Sequence, residues 1–193
     1  MYLIFMFFAL FMQAKEEGSL VEKLQHKFNE VDNLYSDFQQ QANNGNFILG
    51  KFYFAKENKY RIELPKNIII SDGKSIKNKD LKRKKIILSN IEDDPLSFSL
   101  REYIYDYPEK CKVTEYVSTE EQKIILESRN NELNFKSVTI WVSPDYLISK
   151  IIINDWSGST FILKFDNIKI NTKQDLSLFE IKEEKYYKTI DLR

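Results

Sequence analysis

The sequence predicts a mainly β domain, an antiparallel sheet of many strands accompanied by two or three helices. Three observations predict it. Isoleucine occurs 23 times and alanine only 4 times; β-branched side chains fit a pleated surface, whereas alanine is the best helix former. From Lys112 onward, short apolar runs are separated by the turn signals Asn130-Asn131, Ser143-Pro144-Asp145 and Ser157-Gly158, the spacing of consecutive hairpins with local connections. The chain has 193 residues and is 42% hydrophobic, which suits one domain with a substantial core and excludes wholesale disorder.

The elements follow in order. Met1 to Met12 is an unbroken apolar run, too short to span a bilayer and of the length of a signal-peptide core. No Lys or Arg precedes it. Residues 1–14 are expected to be a cleaved signal ending at Ala14, with the mature chain starting near Lys15; a buried N-terminal helix or an uncleaved anchor are the alternatives. No Cys follows the run, so a lipoprotein signal is excluded. Leu20, Val21, Leu24, Phe28, Val31 and Leu34 fall at helical spacing, and Ser19 with Glu22 forms a capping box that starts the helix there. His26 lies off that stripe and is expected on the solvated face.

After Tyr35 the period becomes two. Ile48, Gly50, Phe52 and Phe54 share one face, while Leu49, Lys51 and Tyr53 share the other. Tyr60, Ile62 and Leu64 alternate with Lys59, Arg61 and Glu63, a half-buried strand. Ile68 to Ile70 is a strand closed by the Asp72-Gly73 turn, and Lys84 to Leu88 is another. Asp94-Pro95 opens a short helix carrying Leu96, Phe98 and Leu100. Strands then follow at Val113–Val117, Lys123–Leu126, Ser137–Val142, Leu147–Asn154 and Thr160–Ile170.

Composition narrows function. Lys plus Arg and Asp plus Glu are both 29, so no global field favours a polyanion and nucleic acid is not expected as a partner. One Cys, Cys111, and one His, His26, leave no disulfide framework and no Cys zinc cluster; a Ser-His-Asp arrangement would have to use His26, and the sequence contains no G-x-S-x-G elbow. Asp72, Glu92, Asp93 and Asp94 can be read as an acidic site, but they fit turns and helix caps better. Cys111 is expected to be a small packed residue, and the Lys-rich run Lys77 to Lys85 a solvated hairpin rim. No catalysis and no cofactor is expected. One pattern stands out: Ile68–Ile70 and Ile151–Ile153 are apolar on both faces, where a sheet with one wet face should alternate. With so few helices, either the helices fill the inner face, or it is partly open and apolar, as a lipid site requires.

Several phrases, in this order, resemble the LolA family of periplasmic lipoprotein carriers. They are Tyr35-Ser36-Asp37-Phe38-Gln39-Gln40 after the first helix, Gly50-Lys51-Phe52-Tyr53-Phe54, Tyr60-Arg61-Ile62-Glu63, Ile69-Ile70-Ser71-Asp72-Gly73-Lys74, Asp94-Pro95-Leu96, Ile140-Trp141-Val142, the segment Ile151 to Gly158, Phe165 to Asn171, and Leu176-Ser177-Leu178-Phe179. The resemblance implies an unclosed antiparallel β-barrel, or half-barrel, over residues 15–193 with a helical lid over an apolar cavity. It implies a monomeric periplasmic carrier of the acyl chains of lipoproteins, with an inner-membrane ABC transporter as donor and an outer-membrane acceptor, either LolB-like or the membrane itself. A lipid-sensing regulatory module, or a carrier of another lipid, is the alternative. The expected cavity residues are Phe52, Phe54, Ile62, Leu64, Ile69, Ile140 and Ile152 from the barrel, with Leu96 and Leu100 from the mid-chain helix. Lys56 stands where the family has an Arg that ties lid to barrel, and Lys lacks the planar two-pronged guanidinium.

Overall fold

The computed structural model describes residues 18–91 and 99–193. The expected signal segment and the Asp94-Pro95 helix start, with Leu96, lie outside the described residues. Helix α1 (Leu20–Asn29) is followed by the strands β1 (Asn33–Ala42), β2 (Ile48–Ala55), β3 (Lys59–Glu63), β4 (Asn67–Asp72), β5 (Ser75–Asp80) and β6 (Lys85–Asn90). A π-helical turn (Glu102–Asp106) runs into the short helix α2 (Tyr107–Lys110). Then come β7 (Cys111–Val117), β8 (Gln122–Ser128), β9 (Ser137–Val142), β10 (Ile148–Asn154), β11 (Thr160–Ile170), a 3-10 turn (Leu176–Phe179) and β12 (Lys188–Asp191).

The twelve strands form one sheet in the order β12-β6-β5-β4-β3-β2-β1-β11-β10-β9-β8-β7. Its two edges, β12 and β7, do not pair with each other, so the barrel is unclosed. Hairpins account for most neighbours. The exceptions are the central pairing of β1 with β11 and the parallel pairing of β12 with β6. The parallel edge strand departs from the all-antiparallel expectation. It is only four residues long and follows a polar stretch, so no period-two run announced it.

Helix α1 starts where its capping box places it. The Glu22 amide donates to Ser19 Oγ at 3.1 Å and the Ser19 amide to Glu22 Oε2 at 2.9 Å. The next two amides, of Leu20 and Val21, donate to the Glu115 carboxylate of β7 at 2.9 and 3.0 Å. All four amides that a helix N-terminus leaves unbonded are thus satisfied, two of them by a strand on the far edge of the sheet. The Asp72-Gly73 turn also forms as expected. Asp72 Oδ1 accepts from the Lys74 and Ser75 amides at 2.9 and 2.8 Å, so this carboxylate shapes a turn. Gly73 holds φ +94°, and a Cβ there would meet the Glu57 carbonyl at 2.2 Å.

Both helical segments lie on one face, here called the inner face. Phe52 and Phe54, Tyr60 and Ile62, Ile124 and Leu126, Val138, Ile140 and Val142, Ile151 and Phe165 point into a core closed by Leu20, Leu24, Leu100, Tyr103 and Ile104. Cys111 packs in this core as expected, and burial pushes its thiol pKa up. His26 is exposed, as expected from the stripe.

The outer face explains the strand that is apolar on both sides. Ile69 points inward, while Ile68 and Ile70 share the outer face with Arg61, Lys77 and Lys79. Residues 172–187 cross that face as a strap. Phe179 is buried there, Arg61 Nη1 donates to the Leu178 carbonyl at 3.2 Å, and Lys77 Nζ donates to the Lys182 carbonyl and to Glu184, both at 2.7 Å. Lys79 also reaches Glu184, and its ammonium lies 4.3 Å from the Tyr187 ring centroid. The Lys-rich run is therefore not uniformly a solvated rim: Lys77 is 2% exposed. Alternation hides this, because the cover comes from a segment about a hundred residues away in sequence.

Burial pushes the Glu184 carboxyl up, but the Lys77 and Lys79 ammonium groups outweigh it and hold it below the usual value of 4.5. A depressed carboxylate stabilises the fold above the unfolded-state pKa, and that stabilisation is lost as pH falls through the folded-state pKa. Glu184→Gln is expected to cost about 1–3 kcal/mol at pH 7 by urea denaturation. The gap from wild type should narrow as the pH is lowered below about 4.5.

Candidate functional site

The inner face and its helical cover form the candidate site. At its centre Phe38, Phe52 and Phe165 meet from β1, β2 and β11, with ring centroids 5.4 to 6.1 Å apart. The space between these rings and the helices is lined by Leu24, Phe28, Val31, Leu34, Phe52, Leu100, Ile104, Tyr146, Leu147, Ile148 and Phe165, and its void is only about 20 Å³. Small-molecule sites occupy about 300–1,000 Å³, far more than this void. Of the two expectations for the inner face, the filled one describes this conformation.

A second space adjoins it at the surface. A groove of about 500 Å³ lies between α1, the Arg101–Tyr105 segment and the β2–β3 turn, lined by Phe28, Asn29, Phe54, Lys56, Glu57, Asn58, Arg101 and Tyr105. Phe28 lines both spaces. Its ring packs on Phe54 and Tyr105, with centroids at 5.2 and 6.1 Å. Another depression, of about 550 Å³, is lined by Glu22, Lys23, His26, Lys27, Glu30, Pro144, Asp145 and Tyr146. Most of those side chains carry or can carry charge, which makes it a poor place for hydrocarbon.

The structure sorts the residues expected in the cavity. Phe52, Phe54, Ile62, Leu100 and Ile140 are buried in the core, and Leu64 and Ile69 pack against it half-buried. Only Phe52 and Leu100 line the void itself. Ile152 is a correction: it pairs with Thr139 and Ile162 on the outer face, and Ile151 takes the inward position. Within an Ile-Ile-Ile run, periodicity cannot tell one face from the other. Leu96 lies outside the described residues. Phe28, Leu24, Ile104 and Phe165 were not among the expected lining. The first two sit on the predicted helical stripe and were legible as core; Ile104 and Phe165 carried no separate signal.

The polar ties between cover and barrel are few. Lys56 pairs with Asp32, on the connection between α1 and β1, and not with the mid-chain helical segment. Both side chains are more than half exposed, so the pair contributes at most about 1 kcal/mol. Between the helices, Gln25 Nε2 donates to the Ile104 carbonyl at 3.0 Å. The Tyr105 hydroxyl lies 3.0 Å from the Gln25 carbonyl and 2.7 Å from Asn29 Oδ1. The π-helical turn carries Tyr103, whose ring meets that of Tyr107 edge-on at 5.2 Å, and Tyr107 meets Phe135 at 4.9 Å. Burial pushes both phenols far above their ordinary range, so they stay protonated, and the Tyr107 hydroxyl donates to Glu102 Oε2 at 3.0 Å. Among the described residues, Ser36 Oγ is buried without a hydrogen-bond partner. Among the described residues no group of three or more His, Cys, Asp and Glu is placed to hold a metal, and no helix is long and apolar enough to cross a membrane.

Residues 29–182 match the family model described as outer membrane lipoprotein carrier protein LolA. No curated protein matches the sequence. Among solved structures, an uncharacterized conserved protein from Thermus thermophilus is similar in fold, with a TM-score of 0.59 at 12% identity over 89% of this chain and 96% of that one. A putative outer membrane lipoprotein-sorting protein domain from Vibrio parahaemolyticus gives a TM-score of 0.47 at 9% identity, over 82% of this chain and 95% of that one. A LolA superfamily protein from Nitrosomonas europaea gives 0.39 at 10% identity, over 84% and 99%.

If Tyr105 fastens the two helical segments to each other, Tyr105→Phe should loosen both. The loss of about 1 kcal/mol corresponds to about fivefold faster amide hydrogen exchange in α1 and in Tyr103–Lys110. Amides of β8 and β9 should exchange as in the wild type.

Proposed function

The chain belongs to the LolA family of outer membrane lipoprotein carrier proteins, and from that premise we propose that it is a periplasmic carrier that holds the acyl chains of lipoproteins beneath its helical cover. It would take its cargo from an inner-membrane ABC transporter and pass it to an outer-membrane acceptor, LolB-like or the membrane itself. It would act as a monomer and without catalysis or cofactor.

The observation that carries this reading is the position of Phe28, a single apolar ring that lines both an open surface groove and a dry interior. A chain of methylenes can enter by the groove only if Phe28 moves aside and α1 lifts from the sheet. The energetics suit a carrier. Burying a methylene is worth about 0.8 kcal/mol, which for several acyl chains would give a grip too tight to release. Here the interior is already filled. Cargo must displace Leu24, Phe28, Leu100 and Ile104 from the same apolar surface, so their lost burial offsets most of the gain. Each side chain fully exposed returns about 1.5–3 kcal/mol. The net affinity is then a difference between two apolar contacts, and transfer needs only an acceptor that binds the cargo better.

A fluorescent fatty-acyl probe tests the reading. The wild type should bind it, with competition by unlabelled fatty acid. Phe28→Ala removes the barrier and should raise the association rate at least severalfold. Leu100→Glu should cut probe binding by more than it lowers thermal stability, since a charge on a movable cover can turn outward whereas one in a sealed core costs several kcal/mol. His26→Ala, on the exposed face of α1, should change nothing. A wild type that binds no probe, or a Leu100→Glu protein that folds and binds as well as wild type, would refute the proposal.

A further inference from the structure

The outer face holds a second arrangement that the fold does not require. Lys150 on β10 and Lys164 on β11 stand directly opposite each other, and like charges in that relation are destabilising. Neither is ion-paired among the described residues. The nearby Glu121 carboxylate is taken by Lys123 and by the Trp141 indole N–H at 2.9 Å. Each free ammonium instead rests on a ring: Lys150 Nζ lies 3.5 Å from the Trp141 centroid and Lys164 Nζ 4.3 Å from that of Phe47. A ring face attracts a cation but leaves its charge uncompensated. Burial, and after it Lys164, press the Lys150 ammonium below its ordinary pKa, as expected of a cation short of an anion.

Phe47 links this pair to an unusual hairpin tip. Phe47, Ile48 and Leu49 are 38, 44 and 63% exposed. The stretch Phe38 to Gly50 holds no charged residue in a chain that is 30% charged. Exposed apolar side chains clustered with no charge among them mark an interaction surface. Trp156, 45% exposed in the β10–β11 turn, stands at the same end, because Asn43 and Thr160 bond the two turns together at 2.6 and 3.0 Å. Uncharged apolar side chains beside Trp and unpaired Lys are what the boundary of an anionic bilayer accommodates: the chains sink among the headgroups and the ammonium groups meet phosphate.

We propose that this corner, the Phe47–Leu49 tip with Lys150 and Lys164, is a docking surface for anionic phospholipid bilayers. It lies outside the helix-covered interior and works with that interior closed, so it does not depend on the carrier reading. An acidic protein would satisfy the two lysines but would give the uncharged tip no counterpart, which favours the membrane.

The test is co-sedimentation of the full chain with vesicles of phosphatidylcholine alone, or with phosphatidylglycerol added. The chain's two tryptophans, Trp141 and Trp156, flank the surface, so their emission should shift to the blue on docking. The wild type should bind the anionic vesicles and not the neutral ones. Taking about fivefold for each lysine near a charged surface, Lys150→Gln with Lys164→Gln should lower the partition about 25-fold. Leu49→Ser should weaken binding without altering the circular dichroism spectrum. The same charge change at Lys82 and Lys188, elsewhere on the surface, should have little effect. The proposal fails if the wild type ignores anionic vesicles, if the paired lysine variant or Leu49→Ser binds like wild type, or if the Lys82 and Lys188 control loses as much. Binding of polyglutamate with no binding of vesicles would assign the lysines to an acidic protein and overturn it too. Retained acyl-probe binding in the docking variants keeps this result separate from the carrier question.

Discussion

The contact on which the structure turns is that of Phe38, Phe52 and Phe165, where strands from both ends of the chain lie side by side and present three rings to one face. A sheet twelve strands wide has two such faces, and the described residues hold little helix with which to cover either. Helical cover is therefore concentrated over the rings. Segment 172–187 covers a second patch, over β3 to β6, and the rest of the outer face meets water with lysine stems and aromatic rings. The polar ties that hold the helices are few: Glu115 at the start of α1, Gln25 and Tyr105 between the helices, and the exposed Lys56–Asp32 pair. Apolar burial supplies most of the attachment. That force has no direction and does not distinguish a leucine side chain from a stretch of hydrocarbon, and the proposed exchange of helix for acyl chain on one surface would rest on that property.

Much of this was legible in the sequence because it rests on local rules. The capping box located α1, and short apolar runs between turn signals found most strands from β1 to β11. Alternation assigned Phe52, Phe54 and Ile62 to the inner face. What escaped was non-local or degenerate. Strand β5, Ser75 to Asp80, is polar at most positions and shows no apolar run. Ile151 and Ile152 are the same residue type in neighbouring positions, so only pairing with β9 and β11 decides which one faces inward. The burial of Lys77 depends on a strap whose sequence is polar and without period. The π-helical turn at Glu102–Asp106 sets Tyr107 against Tyr103 and Phe135 and within reach of Glu102 by a one-residue widening of the helix, which no spacing rule anticipates. The Arg-like latch expected at Lys56 became a weak surface pair, while Glu115 fastened α1 from the opposite edge.

The two lysine systems show how one residue type takes different roles on one sheet. Lys77 and Lys79 are covered and share the Glu184 carboxylate, so their charge is satisfied inside the fold. Lys150 and Lys164 lie on rings and face outward, so theirs remains for a partner. Net charge, which is zero for the whole chain, conceals this local division.

The central pairing of β1 with β11 also has a kinetic side. Leu34 pairs with Ile170 and Ala42 with Phe161, while β1 to β6 and β7 to β11 are each built from hairpins that close locally. The chain can thus assemble as two separate half-sheets well before they meet. Until residues 160–170 arrive, β1 and the growing end of the second half each present a bare row of amides and carbonyls, and the three phenylalanines have no common face. Closing that seam spans most of the polypeptide, a slow step for topological reasons, and the intermediate before it is prone to pair with another molecule. For a chain that emerges from its N-terminus, the first long strand must wait longest for its partner, which makes this seam the point at which folding and aggregation compete.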